Sequence, residues 1–129
     1  MDYLEMAKKG YEDFNKGNIE AVLPLFDPEI EWNASNGFPY VTGDGIYTGP
    51  KAVAQEIFAE MPKHFEGFHI DIQELFASGN KVVMVGYYTG VWKATGKKFK
   101  ANATHVWTVK DGKLTHFFQA VDTATIVNP

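Results

Sequence analysis

The sequence contains no cysteine and no arginine. Without cysteine there are no thiol nucleophiles, disulfides, iron–sulfur clusters or cysteine zinc sites. Without arginine there is no bidentate guanidinium clamp for phosphate or carboxylate, since all 12 basic residues are lysine. A net charge of −4 opposes nucleic acid and anionic membranes as partners. Long apolar runs are missing as well. Met1 to Phe14 interleaves Asp2, Glu5, Lys8, Lys9, Glu12 and Asp13 with its apolar residues, and so reads neither as a signal peptide nor as a membrane span. A soluble, cytoplasmic protein is expected.

Aromatic residues are abundant, at 15% against a charged fraction of 22%, which points to a large apolar core or an aromatic-lined cavity. The 129 residues match the usual size of one domain, expected to span 1–129, and need no metal or disulfide staple.

Tyr3, Leu4, Ala7, Tyr11 and Phe14 recur at helical spacing and share one face of a first helix. Gly17 suits the left-handed position that ends it, and Asn18 is placed to cap a second helix over Ile19–Phe26. Glu29–Asn33 alternates as a strand, and the irregular stretch Asn36–Thr48 has the length of a lid or binding loop. Pro50 opens a third helix running to about Phe65, which Pro62 should kink or end early. Everything after it alternates as strands, with turns at Ser78-Gly79-Asn80, Thr95-Gly96 and Asp111-Gly112. The expectation is an α+β fold, a cone in which one curved antiparallel sheet wraps over three helices of the N-terminal half. Such a sheet leaves a hollow between its concave face and the helices.

Four histidines are present, and none belongs to a metal motif. His64 and His69 flank a helix-to-strand corner and His116 stands beside a turn, so all three read as solvated or locally bonded. His105 is different, because it lies mid-strand and needs partners for both ring nitrogens. It is either a satisfied core residue or a site residue. Asp122, before Thr123-Ala124-Thr125, is either the N-cap of a last helical turn or a carboxylate at the cavity mouth. Asn102, Thr104 and Gln119 orient a ligand if they face the concave side. Unbulged alternation puts Asn102 and His105 on opposite faces, and a bulge swaps them. Trp32, Tyr87, Tyr88, Trp92 and Trp107 are core or cavity lining.

Several strings resemble the NTF2-like superfamily (cystatin-like fold), in its SnoaL-like and ketosteroid-isomerase-like branch. They are Phe14-Asn15-Lys16-Gly17-Asn18-Ile19-Glu20-Ala21-Val22, Tyr47-Thr48-Gly49-Pro50-Lys51-Ala52-Val53, the run from His105 to Leu114, and Val121-Asp122-Thr123-Ala124. The resemblance covers nearly the whole chain and implies a homodimer. Its known catalytic sets mostly fail here. The isomerase tyrosine, base and oxyanion aspartate fall on Gly10, Ala34 and Asn102, so the base is missing. Positions of the limonene-epoxide-hydrolase type fall on Gly86, Tyr88 and Gln119, with no arginine. In the polyketide-cyclase set His105 matches the histidine, while the aspartate falls on Gln119 and leaves Asp122 to serve instead.

The resemblance therefore implies an isomerase, cyclase or dehydratase that takes a small apolar carbonyl compound and needs no cofactor. His105 and Asp122 are the catalytic candidates, and Trp32, Tyr88, Asn102, Thr104, Phe117 and Gln119 the substrate-binding ones. The alternative is a non-catalytic pocket for a small apolar ligand, or a dimerisation module.

Overall fold

The computed structural model describes residues 2–129; Met1 of the N-terminal stretch lies outside them. Helix α1, Tyr3–Asn15, starts where the Asp2 carboxylate accepts from the Glu5 N–H at 2.8 Å, the expected form of an N-cap. It ends at Gly17, whose φ of +77° only glycine adopts without strain. Asn18 stands at the start of α2, Ile19–Val22, but its side chain makes no capping bond. A 3₁₀ turn, Leu23–Leu25, carries the chain into β1, Phe26–Asn33.

The expected helix from Pro50 is present to His64 but in three pieces: α3 over Pro50–Val53, a π-helical turn over Ala54–Phe58, and α4 over Met61–His64. The helix is interrupted at Ala59–Glu60 and restarts at Met61, with Pro62 in the first turn of the last piece where its missing N–H is harmless, which is the interruption that Pro62 led the sequence reading to expect. The Tyr40 hydroxyl donates to the Ile57 carbonyl at 2.9 Å, which ties the long loop to this helix.

Strands β2 (Ile46–Thr48), β3 (Phe65–Ser78), β4 (Lys81–Trp92), β5 (Lys97–Lys110) and β6 (Lys113–Val121) precede a last helix, α5, Thr123–Val127. The six strands form an open curved sheet in the order β2-β1-β6-β5-β4-β3, an α+β fold as expected. Two details correct the expectation. The irregular loop contains a strand, β2, paired to β1. The sheet is also not wholly antiparallel, because β1 runs parallel to β6, with Trp32 opposite Phe117. Sequence alternation marks a strand but not its direction in the sheet, since either pairing satisfies the backbone.

Three local devices shape the concave face. At Gly86 a Cβ would lie 2.1 Å from the Asp71 carbonyl oxygen, so β3 approaches β4 there as only glycine allows. The Asn15 carboxamide both donates to the Ile70 carbonyl (3.0 Å) and accepts from its N–H (2.9 Å), docking α1 on the edge strand β3. In β6 a bulge between the pairs Thr108–His116 and Val109–Leu114 inserts Thr115. Leu114, Phe117 and Gln119 are consequently all buried on one side, while His116, Phe118 and Ala120 are exposed on the other.

Candidate functional site

Strand β5 carries no bulge where it pairs with β4, and its burial alternates strictly from Ala101 to Val109. His105 therefore points inward with Ala103 and Trp107, whereas Asn102 is exposed and Thr104 half-buried on the opposite face. The expected pocket positions of Asn102 and Thr104 are corrected by this alternation. Asp122 takes its structural role: its carboxylate accepts from Thr125 N–H (3.2 Å) and Thr125 Oγ1 (2.5 Å) as the N-cap of α5. The Thr125 hydroxyl first, and its backbone N–H second, hold that carboxyl below its ordinary range. The structure does not bring Asp122 to His105.

A cavity of about 50 Å³ lies between the concave face and the helices. Trp32, Tyr88, His105, Phe117 and Gln119 line it, as do Gly10, Tyr11, Ala34, Phe58 and Trp107, and no Asp, Glu or Lys does. Aromatic rings form most of its wall: Trp32 stacks on Phe117 with centroids 3.8 Å apart and meets Phe58 and Trp107 edge-on. Among the described residues no three His, Asp or Glu converge on a metal position.

The polar groups of the cavity make one continuous chain. Trp107 Nε1–H donates to the Tyr11 hydroxyl at 2.7 Å, and Tyr11 bonds His105 Nδ1 at 2.7 Å. His105 Nε2 bonds the Tyr88 hydroxyl, which donates to Gln119 Oε1 at 2.6 Å. Gln119 Nε2 donates to the Ala34 carbonyl at 2.5 Å. The two ends of the chain set its direction. An indole N–H can only donate and a backbone carbonyl can only accept. The Ala34 carbonyl requires the amide nitrogen of Gln119 on its side, which turns Oε1 towards Tyr88. Tyr88 spends its single proton on Oε1, so His105 must donate from Nε2 and accept at Nδ1 from Tyr11. Every bond then runs the same way, with His105 a neutral imidazole.

Burial supports the same state. It pushes the His105 imidazole down to about 3 and raises both Tyr11 and Tyr88 above the ordinary tyrosine range. His105 is thus a poor base near neutral pH, and no carboxylate stands beside it to change that. His64 lies 3.5 Å from Glu60, while His69 and His116 are exposed.

Sequence reading missed Tyr11 as a site residue. Its place on the buried face of α1 was legible, but its hydroxyl meets His105 from 94 residues away in the chain. The isomerase-type tyrosine position, Gly10, is its immediate neighbour.

One polar atom is left over. Among the described residues, Trp32 Nε1 is the buried side-chain polar atom without a hydrogen-bond partner. Buried donors in native structures are nearly always paired, so this one calls for a reason.

A helix-backed, open curved sheet with an aromatic-lined cavity under it is the NTF2-like architecture, and solved structures agree. An NTF2-like protein from Burkholderia thailandensis E264 is 28% identical, with a TM-score of 0.89 over 97% of this chain and 94% of that one. TerC, co-crystallised with polyporic acid, is 25% identical, with a TM-score of 0.84 over 96% of this chain and 94% of its own. An NTF2-like protein of unknown function from Burkholderia pseudomallei K96243, at 24% identity and a TM-score of 0.85 over 96% and 93% of the two chains, shares the fold. The model of the SnoaL-like domain matches residues 7–117, and the chain belongs to that family. No curated protein matches it.

Proposed function

We propose that this protein binds one small, neutral, mostly apolar molecule in the cavity, without a cofactor. The observation that carries this reading is the wall itself: no charged side chain lines it, and both nitrogens of its histidine are occupied by tyrosine hydroxyls. Isomerisation, cyclisation or dehydration needs a group that takes a proton near neutral pH. His105, depressed to about 3 by burial, is not that group. That TerC was crystallised with polyporic acid supports a small-molecule site in this fold.

The cavity of about 50 Å³ is smaller than the roughly 150 Å³ that admits benzene, so a ligand must displace side chains to enter. Phe58, Met61 and Phe68 line the cavity and are only half-buried, which marks them as the moving part. Titration with toluene, followed by calorimetry and tryptophan fluorescence, is expected to give saturable binding at one site per chain. Absence of binding by every small aromatic tried would overturn the reading.

Turnover is the second reading, favoured by the continuous chain Tyr11–His105–Tyr88, since hydrogen-bonded chains of this kind can relay a proton. Mass spectrometry of a bound aromatic ketone after incubation decides: the binding reading expects it back unchanged. Product formed in proportion to protein, and lost in Tyr88→Phe, would replace binding with catalysis.

The outer face of the sheet favours a homodimer. Phe76, Val83, Val106 and Phe118 sit side by side across β3, β4, β5 and β6, and Phe76 and Phe118 are exposed there. An apolar row across four strands suits a self-complementary interface.

A further inference from the structure

We propose that Tyr40 is the latch of a moving flap: its hydroxyl, bonded to the Ile57 carbonyl, holds the π-helical turn Ala54–Phe58 against the cavity, and breaking that bond admits the ligand. The proposal rests on the binding reading above and says how the site opens.

The segment from Pro50 to His64 is fixed at both ends and loosely held between them. Gly49 precedes it with a φ of +87°, and the Gly49 N–H donates to the Ile30 carbonyl at 2.8 Å. At the far end Lys93 donates twice. Its ammonium reaches the Pro62 carbonyl at 2.6 Å and its backbone N–H the His64 carbonyl at 3.0 Å. Between these anchors only Val53 and Ile57 are buried. A stretch with so few buried side chains opens locally before the rest of the fold does.

Among the described residues, the Tyr40 hydroxyl makes the one hydrogen bond that joins Ala54–Phe58 to any group outside that segment. The backbone register explains the need for it. In a π-helix each carbonyl is served by the N–H five residues further on. For Ile57 that residue is Pro62, which has no N–H to give. Tyr40 supplies a donor there at 2.9 Å. Burial, first of all, raises Tyr40 above the ordinary tyrosine range, so the hydroxyl keeps the proton it donates.

The bond ties two parts of the cavity wall together, since Phe38 comes from the loop that carries Tyr40, and Ile57 and Phe58 come from the turn. The Tyr40 ring meets Phe38 edge-on at 5.4 Å and stacks on His64 at 4.9 Å. Neither contact uses the hydroxyl. Both persist when the bond breaks, so the loop stays in place while the turn swings.

The experiment compares wild type, Tyr40→Phe and Tyr47→Phe. Tyr47 lies in the same loop, and its hydroxyl accepts from the Thr42 N–H at 3.3 Å without reaching the turn. Amide hydrogen exchange is measured on the free proteins by NMR, and toluene entry and exit by stopped-flow tryptophan fluorescence. One neutral hydrogen bond corresponds to roughly fivefold in an equilibrium. Tyr40→Phe should lower the protection of amides 54–61 by that factor and speed toluene entry and exit equally, leaving the dissociation constant in place. Amides of β4 and β5 keep their wild-type protection, which shows that the variant is folded, and Tyr47→Phe changes nothing. Should Tyr40→Phe not fold, the wild type carries the test: amides 54–61 exchange faster than those of β4 and β5 and do not respond to low urea. Exchange of those amides only through global unfolding would mean that no flap exists. Unaltered exchange or toluene rates in Tyr40→Phe, protection lost evenly over the whole protein, or the same effect from Tyr47→Phe would each overturn the latch and leave the binding reading standing. Toluene that fails to bind the wild type overturns both.

Discussion

Acidification should destabilise this protein through His105. The imidazole has an ordinary value of 6.5 and is held at about 3 by burial. Between those two values the unfolded chain carries a proton that the folded one refuses. The stabilisation is therefore complete above pH 6.5 and is lost as the pH falls towards 3. Each unit of the shift corresponds to about 1.4 kcal/mol, so by pH 5 the loss is ~2 kcal/mol and at its limit ~5 kcal/mol. The hydrogen-bonded chain explains why the proton is refused. Protonation at Nδ1 would turn the acceptor of the Tyr11 hydrogen into a donor and strand that hydrogen. Urea unfolding of wild type and His105→Gln, repeated from pH 7 to pH 4.5, isolates this contribution. Glu60, held down chiefly by Lys63, and Asp122, held down by Thr125, also lose stabilisation in acid, but they are common to both proteins and cancel in the difference. The wild type should lose stability more steeply by about 1.4 kcal/mol per pH unit below pH 6. Parallel pH profiles for the two proteins would refute the argument.

Tyr88→Phe strands the His105 Nε2–H and weakens the hold on Gln119 Oε1 at once, and should cost about 2–4 kcal/mol in the same unfolding assay; wild-type stability would contradict the chain. Gly86→Ala drives a methyl group into the Asp71 carbonyl at 2.1 Å and should cost about 1–3 kcal/mol or more, read as a lowered melting temperature. Phe118→Lys, a change on an exposed position, should leave the monomer folded and convert a dimer to monomer in light scattering. A mutant that remains dimeric would remove the outer sheet face from consideration.

Much of the fold was legible from local pattern. Asp111 and Gly112 both take positive φ, 51° and 76°, as a two-residue hairpin turn requires. The alternation of β5 left two facings open for Asn102 and His105, and the absence of a bulge in the structure puts them on opposite faces; the cap at Asp122 was one of two readings. Phe117 and Gln119 were named for the pocket and line it, but the bulge that sets the β6 register was not legible, because Thr115 is an ordinary strand residue and nothing in its neighbourhood marks the extra step. That single insertion decides that Phe117 and Gln119, rather than His116 and Phe118, face inward.

By itself the sequence determined which residue types are absent and the succession of the main helices and strands, though not the short strand β2, since these depend on residue type or on short-range periodicity; the family came from the resemblance of a few strings. Only the tertiary structure decided that β1 lies parallel to β6, that Tyr11 reaches His105, and that Gln119, held by the Ala34 carbonyl, sets the tautomer of the imidazole. The reason is physical. Periodicity reports which side of an element is apolar, a relation among residues a few positions apart. A hydrogen bond between buried side chains depends on the register and packing of elements tens of residues apart, and its direction depends on what stands at both ends of the chain it belongs to.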